Sequence, residues 1–214
     1  MRTVKRVHPA FRDDIGDLVT RRPVPGPAIG HVGAFLFLNH HGPQTYPANN
    51  RGLPFGPHPH RGFETVTFIL AGELAHTDSA GHASIIRAGG IQWMTAGSGI
   101  VHAEVSPAEF KRDGGPMEIL QLWVNLPSRL KMTAPRYVGA QAGAIPSVAV
   151  DGATVHLVAG SFGQARGVVD SLTGVFLSWV EIAAGGSVTF SGLEGRDVFL
   201  YAVRGVFHVE GTAV

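Results

Sequence analysis

The stretch that decides the fold is residues 56–72, which read GPHPHRGFETVTFILAG. Its second half is rich in β-branched and apolar residues and ends at a glycine, which is typical of a β-strand followed by a turn. Successive side chains of a strand point to opposite faces, so a regular strand through the whole stretch places His58, His60 and Glu64 on one face. That face begins with imidazoles and a carboxylate and ends apolar. The pattern predicts the wall of a barrel with a polar site at one mouth.

A second pair of polar residues repeats this spacing. His102 and Glu104 are two positions apart and offer another imidazole and another carboxylate on one face of a strand. If the two stretches meet, the three histidines and one glutamate supply three nitrogen donors and one oxygen donor. Imidazole and carboxylate together suit Fe, Mn, Co, Ni, Cu or Zn, and they leave positions open for water or substrate. The chain contains no cysteine, so thiolate ligands are excluded.

The other histidines have a simpler interpretation, as hydrogen-bonded residues of loops or of the core. This group comprises His8, His31, His40, His41, His82, His156 and His208. His76 stays open, because it could face the same interior as His60.

Composition and charge exclude several classes of partner. Among 214 residues, 17 Lys and Arg balance 16 Asp and Glu, so charge gives no argument for direct binding to nucleic acid or to an anionic membrane. The N-terminal charges are not followed by the apolar segment of a secretory signal. No apolar run approaches the roughly 20 residues that a membrane helix needs. We therefore expect a cytoplasmic protein without a membrane segment.

The remaining chain predicts an all-β protein in two parts. Short strands recur about every ten residues with turns between them, as in antiparallel sandwiches and barrels. Residues 127–148 are weakly patterned, which predicts an N-terminal domain at 1–127 and a C-terminal domain at 128–214. The strands predicted for the C-terminal domain are Thr154–Ala159, Gly174–Ile182, Ser187–Phe190, Val198–Val203 and Val206–Val209.

A weak internal repeat relates the two halves. Aligning their glycines places Ser191 and Leu193 where the first half has His58 and His60, so we expect the second half to bind no metal of its own. Only three residues follow Gly211. The second barrel is therefore expected to be incomplete, either naturally or because the sequence is a fragment.

Three motifs resemble the N-terminal cupin of the pirin family. They are HPHRGFETVT at residues 58–67, D-S-x-G at residues 78–81 and QWMTAGxGIVHxE at residues 92–104. The resemblance runs from about Phe35 to Leu126 and fades in the second half. It implies a bicupin, with two antiparallel jelly-roll β-barrels of which the second lacks a metal site.

The resemblance also implies a ligand set. Pirins hold a metal, usually iron, through three histidines and a glutamate, which correspond here to His58, His60, His102 and Glu104. The general cupin pattern uses instead the glutamate at the position of Glu64. On an ideal strand Glu64 is about 13 Å beyond His60, which predicts a deeper position where it orients a ligand. Both glutamates are candidate catalytic carboxylates, and Glu104 is the favoured ligand.

Large apolar residues near the motifs could line a pocket above the metal, or could simply be core. They are Phe37, Val66, Phe68, Trp93 and Met94.

Two functions of different classes follow from the resemblance. The first is a metal-dependent dioxygenase that degrades the flavonol quercetin with O₂, in which the metal binds the substrate oxygen and a carboxylate takes its proton. The second is a non-catalytic, metal- or redox-responsive regulatory protein that binds a protein partner, like the eukaryotic pirin that acts as a transcription cofactor. A sugar-processing cupin, such as an isomerase, is a third hypothesis, and the fold alone does not distinguish the three functions.

Overall fold

The computed structural model describes residues 3–214, whose regular secondary structure is β-strand apart from one short α-helix and two single turns of 3₁₀ helix. In chain order the elements are β1 (Phe11–Arg12), β2 (Thr20–Val24), β3 (Phe35–Tyr46), β4 (Phe55–His60), β5 (Phe63–Ala71), β6 (Glu73–Asp78), β7 (Ala83–Arg87), β8 (Ile91–Thr95), β9 (Ile100–Val105), α1 (Ala108–Asp113), β10 (Gly115–Asn125), a 3₁₀ turn (Ser128–Leu130), β11 (Arg136–Ala140), a 3₁₀ turn (Ala142–Ala144), β12 (Ser147–Val150), β13 (Ala153–Ala159), β14 (Ser161–Phe162), β15 (Ala165–Arg166), β16 (Leu177–Ile182), β17 (His208–Val209) and β18 (Thr212–Ala213).

The first part of the chain folds into two antiparallel sheets. A seven-stranded sheet has the order β1-β2-β3-β10-β5-β8-β11, and a four-stranded sheet has the order β4-β9-β6-β7. Side chains from the two sheets meet between them, as when Thr67 of β5 donates a hydrogen bond to Glu104 of β9. This is the predicted all-β cupin fold. The sheets are not hydrogen-bonded into closed barrels, which corrects that detail of the prediction.

The break between the two sheets lies at Gly62. β4 ends at His60, β5 begins at Phe63, and the two strands belong to different sheets. Gly62 has a φ of +79°, which a residue with a Cβ adopts only with strain, and its N–H donates to the carbonyl of Gly97 at 2.8 Å. The expectation of one regular strand from His58 onward is therefore wrong. As a result, residues before and after Gly62 do not share a face.

The space between the sheets is divided into an apolar end and a polar end. The apolar end holds a buried cluster from both sheets and from α1, made of Leu18, Tyr46, Leu53, Ile69, Leu74, Ile86, Phe110, Met117 and Ile119. The polar end contains the histidines of β4 and β9. Burial of the apolar cluster holds the two sheets together.

The outer face of the seven-stranded sheet packs against the C-terminal part of the chain. Buried residues of β5, β8 and β10 form one cluster with Val158, Ala159 and Val169, and Phe199 and Tyr201 pack against it. Strands β12, β13 and β16 form a three-stranded sheet in this part. A single core thus joins both halves of the chain.

The predicted C-terminal strands have different outcomes. Those at 154–159 and 174–182 are confirmed with shifted ends as β13 and β16. No strand lies between residues 183 and 207, where two were predicted; of the last predicted strand only His208–Val209 forms. Alternating apolar residues in 199–203 pack against the first half without a ladder partner, and packing of this kind produces a strand-like pattern.

Strand β11 links the two parts by pairing with β8 across Arg136–Ala140. The division into domains at residues 127 and 128 stays a prediction. Within residues 3–214, no helix is long and apolar enough to cross a membrane.

Candidate metal centre

Three imidazoles meet at the polar end of the sandwich. The Nε2 atom of His58 lies 3.1 Å from that of His60 and 3.1 Å from that of His102. One nitrogen from each ring falls within 4.8 Å of the other two. In the described part of the chain, these three histidines form the group that could hold a metal ion. The structure therefore brings together the two histidine motifs that the sequence separates by more than forty residues.

The pairing of β4 with β9 produces this convergence. His58 lies directly opposite His102 in the antiparallel register, and His60 follows two residues later on the same face. β4 is the edge strand of its sheet, which is where a strand tolerates prolines such as Pro57 and Pro59. The alternation of proline and histidine thus suits an edge strand that presents its imidazoles inward.

The arrangement of His58 fits a metal ligand. Its Nδ1 lies 2.7 Å from the carbonyl of Gly56, which can only accept, so Nδ1 carries the proton and the lone pair of Nε2 faces the other two rings. Two nitrogens bound to one metal at about 2.1 Å, and roughly 90–110° apart, are separated by about 3.0–3.4 Å. The observed separations of 3.1 Å lie in this range. The three imidazoles therefore fit a transition-metal ion.

Burial keeps two of these imidazoles neutral. Desolvation, reinforced by the charge of His58, lowers the pKa of His60 to about 4. Desolvation, followed by the charges of His60, His58 and His76, lowers the pKa of His102 to about 3, against a smaller opposing effect of Asp78. Neutral imidazole is the form that binds metals, so both rings are ready to bind at neutral pH.

Glu104 lies at the edge of this group. Its Oε2 atom is 4.0 Å from Nε2 of His102, and the side chain is almost fully buried. Two residues of the seven-stranded sheet hold its oxygens: Thr67 donates to Oε1 at 2.7 Å, and the Gln121 amide donates to Oε2 at 2.6 Å. Glu104 is therefore a carboxylate beside His102, at the edge of the three-nitrogen group, oriented by neighbours that the sequence analysis did not single out.

Glu64 occupies a different environment. Its Oε1 atom accepts hydrogen bonds from Trp93 Nε1 at 3.0 Å and from Thr95 at 2.6 Å, and Trp93 belongs to the cluster on the outer face of the sheet. Because β5 pairs without a bulge from residue 63 to residue 69, Glu64 and Thr67 point to opposite faces. The expectation that Glu64 shares a face with His58 and His60 is corrected, since Gly62 redirects the chain before β5 begins.

An aromatic wall stands beside His60. The rings of Phe63 and Trp123 lie 5.0 and 5.4 Å from the His60 ring and 4.9 Å from each other. Phe37 stacks on Trp123 at 4.4 Å. All three aromatic side chains are partly exposed. They present flat apolar surface at the mouth of the site.

This wall differs from the expected pocket lining. Phe37 does lie near the site, through Trp123, but Val66, Phe68 and Trp93 belong to the outer cluster that faces the C-terminal part of the chain. Met94 is in a small cluster with Ala96 and Ile100. Of the two interpretations of these residues, plain core is confirmed for Val66, Phe68, Trp93 and Met94.

His76 belongs to a hydrogen-bonded group behind His102. Its ring lies 5.4 Å from that of His102 and stacks on Tyr137 at 4.0 Å, and its Nε2 is 3.1 Å from Asp78 Oδ2. Burial raises the pKa of Tyr137 to about 12, so the phenol keeps its proton. His76 faces the same interior as His60 without joining the three-nitrogen group.

Sequence reasoning missed the residues that surround the site, namely Phe63, Thr67, Gln121, Trp123 and Tyr137. A signal existed for one pair: Gln121 and Trp123 alternate along β10 and therefore face the same side. The others depend on which sheet each strand joins.

The chain was compared with protein families and solved structures. The family model described as Pirin matches residues 17–124. A Pseudomonas aeruginosa relative with the provisional name quercetin 2,3-dioxygenase is 37% identical over 181 residues, covering 84% of this chain and 63% of the relative. A pirin-like protein of Solanum lycopersicum is 36% identical over 203 residues, covering 94% of this chain and 66% of the relative. The chain thus spans about two thirds of the length of these relatives.

The fold has matching crystal structures. A quercetin 2,3-dioxygenase from Acinetobacter baumannii superposes with a TM-score of 0.68 at 34% identity, covering 77% of this chain and 53% of that chain. The Escherichia coli pirin YhhW, crystallised with nickel(II), has a TM-score of 0.52 at 22% identity, covering 69% of this chain and 67% of that chain; it supports the fold alone. Since the family model matches half of its residues, this chain belongs to the pirin family.

Proposed function

We propose that this protein is a metal-dependent oxygenase of the quercetin 2,3-dioxygenase type, acting on a flavonol or a similar flat aromatic substrate. The observation that carries the proposal is the convergence of three imidazole nitrogens, two of them 3.1 Å from the third, at the open edge of the sandwich. Relatives that carry this enzyme name support the assignment.

His58, His60 and His102 are the proposed ligands, and Glu104 is the proposed fourth donor. Three nitrogens and one carboxylate leave open positions on a six-coordinate ion. When bound, the metal supplies Lewis acidity to a substrate oxygen and a site for reaction with O₂. Iron is the proposed native metal because pirins usually hold it, while Mn, Co, Ni, Cu and Zn share the same donor preferences.

Glu104 is also the proposed acceptor of the substrate's hydroxyl proton. A general base must lie within hydrogen-bond reach of the proton that it takes, and Glu104 is the carboxylate of the described chain closest to the three imidazoles. Glu64, which the sequence offered for the same role, has its carboxylate bound by Trp93 and Thr95 on the other face of β5.

The aromatic wall supports a flat substrate. Phe63 and Trp123 are partly exposed beside His60, and stacked or tilted rings are favoured by about 0.5–1.5 kcal/mol beyond the area that they bury. An open surface depression is lined by residues 54–58 and therefore adjoins His58.

The test is O₂ uptake with quercetin. Protein purified without added metal is loaded separately with Fe(II), Mn(II), Co(II), Ni(II) and Cu(II), and oxygen consumption is followed with an electrode. We expect uptake in at least one loaded form and none in the metal-free form or in His58→Ala. If no loaded form exceeds the metal-free control, the oxygenase is refuted and the non-catalytic regulatory protein with a protein partner becomes the better assignment.

A further inference from the structure

The carboxylate of Glu104 is held from the opposite sheet on both of its oxygens. Thr67 of β5 donates to Oε1 at 2.7 Å, and Gln121 of β10 donates to Oε2 at 2.6 Å. Thr67 and Gln121 are directly opposite each other in the β5–β10 ladder, whereas Glu104 projects from β9 of the four-stranded sheet. These contacts cross the space between the two sheets right beside the three imidazoles.

The direction of each hydrogen bond is determined by chemistry. A carboxylate only accepts, so the Gln121 amide must face Glu104 with its nitrogen, which leaves its oxygen 3.0 Å from the Thr67 hydroxyl. That hydroxyl has one proton and two acceptors in reach. It lies closer to Glu104, at 2.7 Å, and a charged acceptor makes the stronger bond. The three side chains therefore form one hydrogen-bonded group in which Thr67 and Gln121 both donate to Glu104.

This arrangement orients one oxygen of Glu104 toward the histidines. Oε2, which accepts from Gln121, is the oxygen 4.0 Å from His102 Nε2. A carboxylate oxygen has two lone pairs, so a bond to Gln121 leaves one available for a metal or a proton. Without the two donors, the Glu104 side chain is free to leave this orientation.

We propose that Thr67 and Gln121 are positioning residues that orient Glu104 toward the three imidazoles and thereby set the affinity and coordination geometry of the metal. The inference rests on the metal site of the proposed function and adds the residues that tune it. Groups that hydrogen-bond to metal ligands typically change affinity or activity by about 10–100-fold when they are removed.

The first experiment measures Co(II) binding by titration calorimetry and by visible absorption, which reports coordination number. Thr67→Val and Gln121→Met keep the size of each side chain and remove its donor. Both are expected to bind Co(II) about 10–100-fold more weakly, with an altered spectrum. Thr67→Ser keeps the hydroxyl and is expected to behave like the wild type. Equal loss in Thr67→Ser and Thr67→Val indicates packing alone and refutes the inference.

The second experiment is a double-mutant cycle with Glu104→Ala. If Thr67 and Gln121 act through Glu104, their substitution no longer changes Co(II) affinity once the carboxylate is gone. Additive losses in the double variants refute the inference. Circular dichroism and thermal unfolding establish that each variant is folded, and Gln121→Met serves if Thr67→Val does not fold.

These measurements use no flavonol, so the two proposals fail separately. Absence of O₂ uptake alongside the expected Co(II) results refutes the oxygenase and keeps the positioning residues. A wild-type protein that binds no Co(II) refutes both, because it removes the metal site on which they depend.

Discussion

His58 and His102 lie directly opposite each other on β4 and β9, with their Nε2 atoms 3.1 Å apart. The hydrogen bond from His58 to the Gly56 carbonyl fixes which of its nitrogens faces the partner ring. A cross-strand pair of this kind is rigid, because both backbones are held by the ladder. Under the proposed assignment, metal binding requires little rearrangement of these two histidines.

Replacement of either histidine is expected to abolish stoichiometric metal binding. His58→Ala and His102→Ala each remove one of the nitrogens that converge on the site. Metal content of protein purified from metal-supplemented culture is measured by elemental analysis. His31→Ala is the matched control, since His31 is exposed and its Nδ1 lies 3.1 Å from the carbonyl oxygen of Gly33, a local contact within its own loop. Full metal content in both site variants contradicts the ligand assignment.

Substitution of Glu104 is expected to change metal affinity, whereas substitution of Glu64 is expected to change stability. Glu104→Gln should weaken metal affinity sharply, because the charged donor near His102 is lost. Glu64→Gln should leave metal affinity unchanged and alter only stability, because the Glu64 carboxylate bonds to Trp93 and Thr95 in the outer cluster. Calorimetric titration with Co(II) and urea unfolding measure both properties. A loss of affinity in Glu64→Gln as large as in Glu104→Gln argues for the general cupin arrangement.

Stability of the metal-free protein should fall in mild acid because of His41. Burial, followed by the charges of His40 and Arg22, lowers the pKa of His41 to about 4, and its Nδ1 lies 2.8 Å from the Thr20 hydroxyl. The unfolded chain takes up this proton near pH 6.5, and the folded chain takes it up only near pH 4. His41 therefore makes its full contribution to the free energy of unfolding above about pH 6.5 and loses it as the pH falls toward 4. The loss amounts to at most about 3 kcal/mol.

Urea unfolding between pH 4 and pH 7.5 tests this pH dependence. His60 and His102 also have lowered pKa values in the metal-free chain, so the useful quantity is the difference between wild type and His41→Gln. In the wild type, the uptake of one proton by His41 on unfolding makes the free energy of unfolding depend on pH by up to about 1.4 kcal/mol per pH unit. The slope should be smaller by this amount in the variant. An unchanged slope shows that His41 already carries its proton in the folded state.

The C-terminal part of the chain is expected to be held by a buried polar cluster around His40. His40 bonds to Glu118 at 2.8 Å through Nε2 and lies 2.9 Å from the Tyr201 hydroxyl through Nδ1, and Arg204 pairs with Glu118. Burial lowers the pKa of His40, so the neutral ring accepts the tyrosine proton. Removal of that proton donor leaves the buried nitrogen with only a longer contact of 3.4 Å to the Arg21 guanidinium.

Tyr201→Phe should therefore lower the free energy of unfolding by about 1–3 kcal/mol without changing metal affinity. Leu200→Ala is the control, because Leu200 is the exposed neighbour of Tyr201 and its loss should cost little. Urea unfolding gives the free energies, and Co(II) titration gives the affinity. Equal stability of Tyr201→Phe and wild type indicates that the segment is held by apolar packing alone.

The sequence by itself determined the types of candidate donor atom and which pairs of candidate ligands share a strand face. The i, i+2 spacing of His58 with His60 and of His102 with Glu104 places each pair on one face of a strand, because strand side chains alternate. The absence of cysteine restricts the donors to nitrogen and oxygen. The residue types and their spacing are local properties, so they hold in any fold in which these segments are strands.

Only the tertiary structure decided which residues accompany the ligands. One glycine with positive φ at residue 62 sends β4 and β5 into different sheets, which turns Glu64 away from the site and brings Thr67 toward it. Gln121 reaches Glu104, and Trp123 reaches His60, because β10 pairs beside β5, which is a non-local contact. Packing on the outer face likewise holds residues 199–203 against the first half without a strand partner. The local pattern shows which residues share a face of a strand, but not which face points toward the site. Long-range strand pairing and burial decide that.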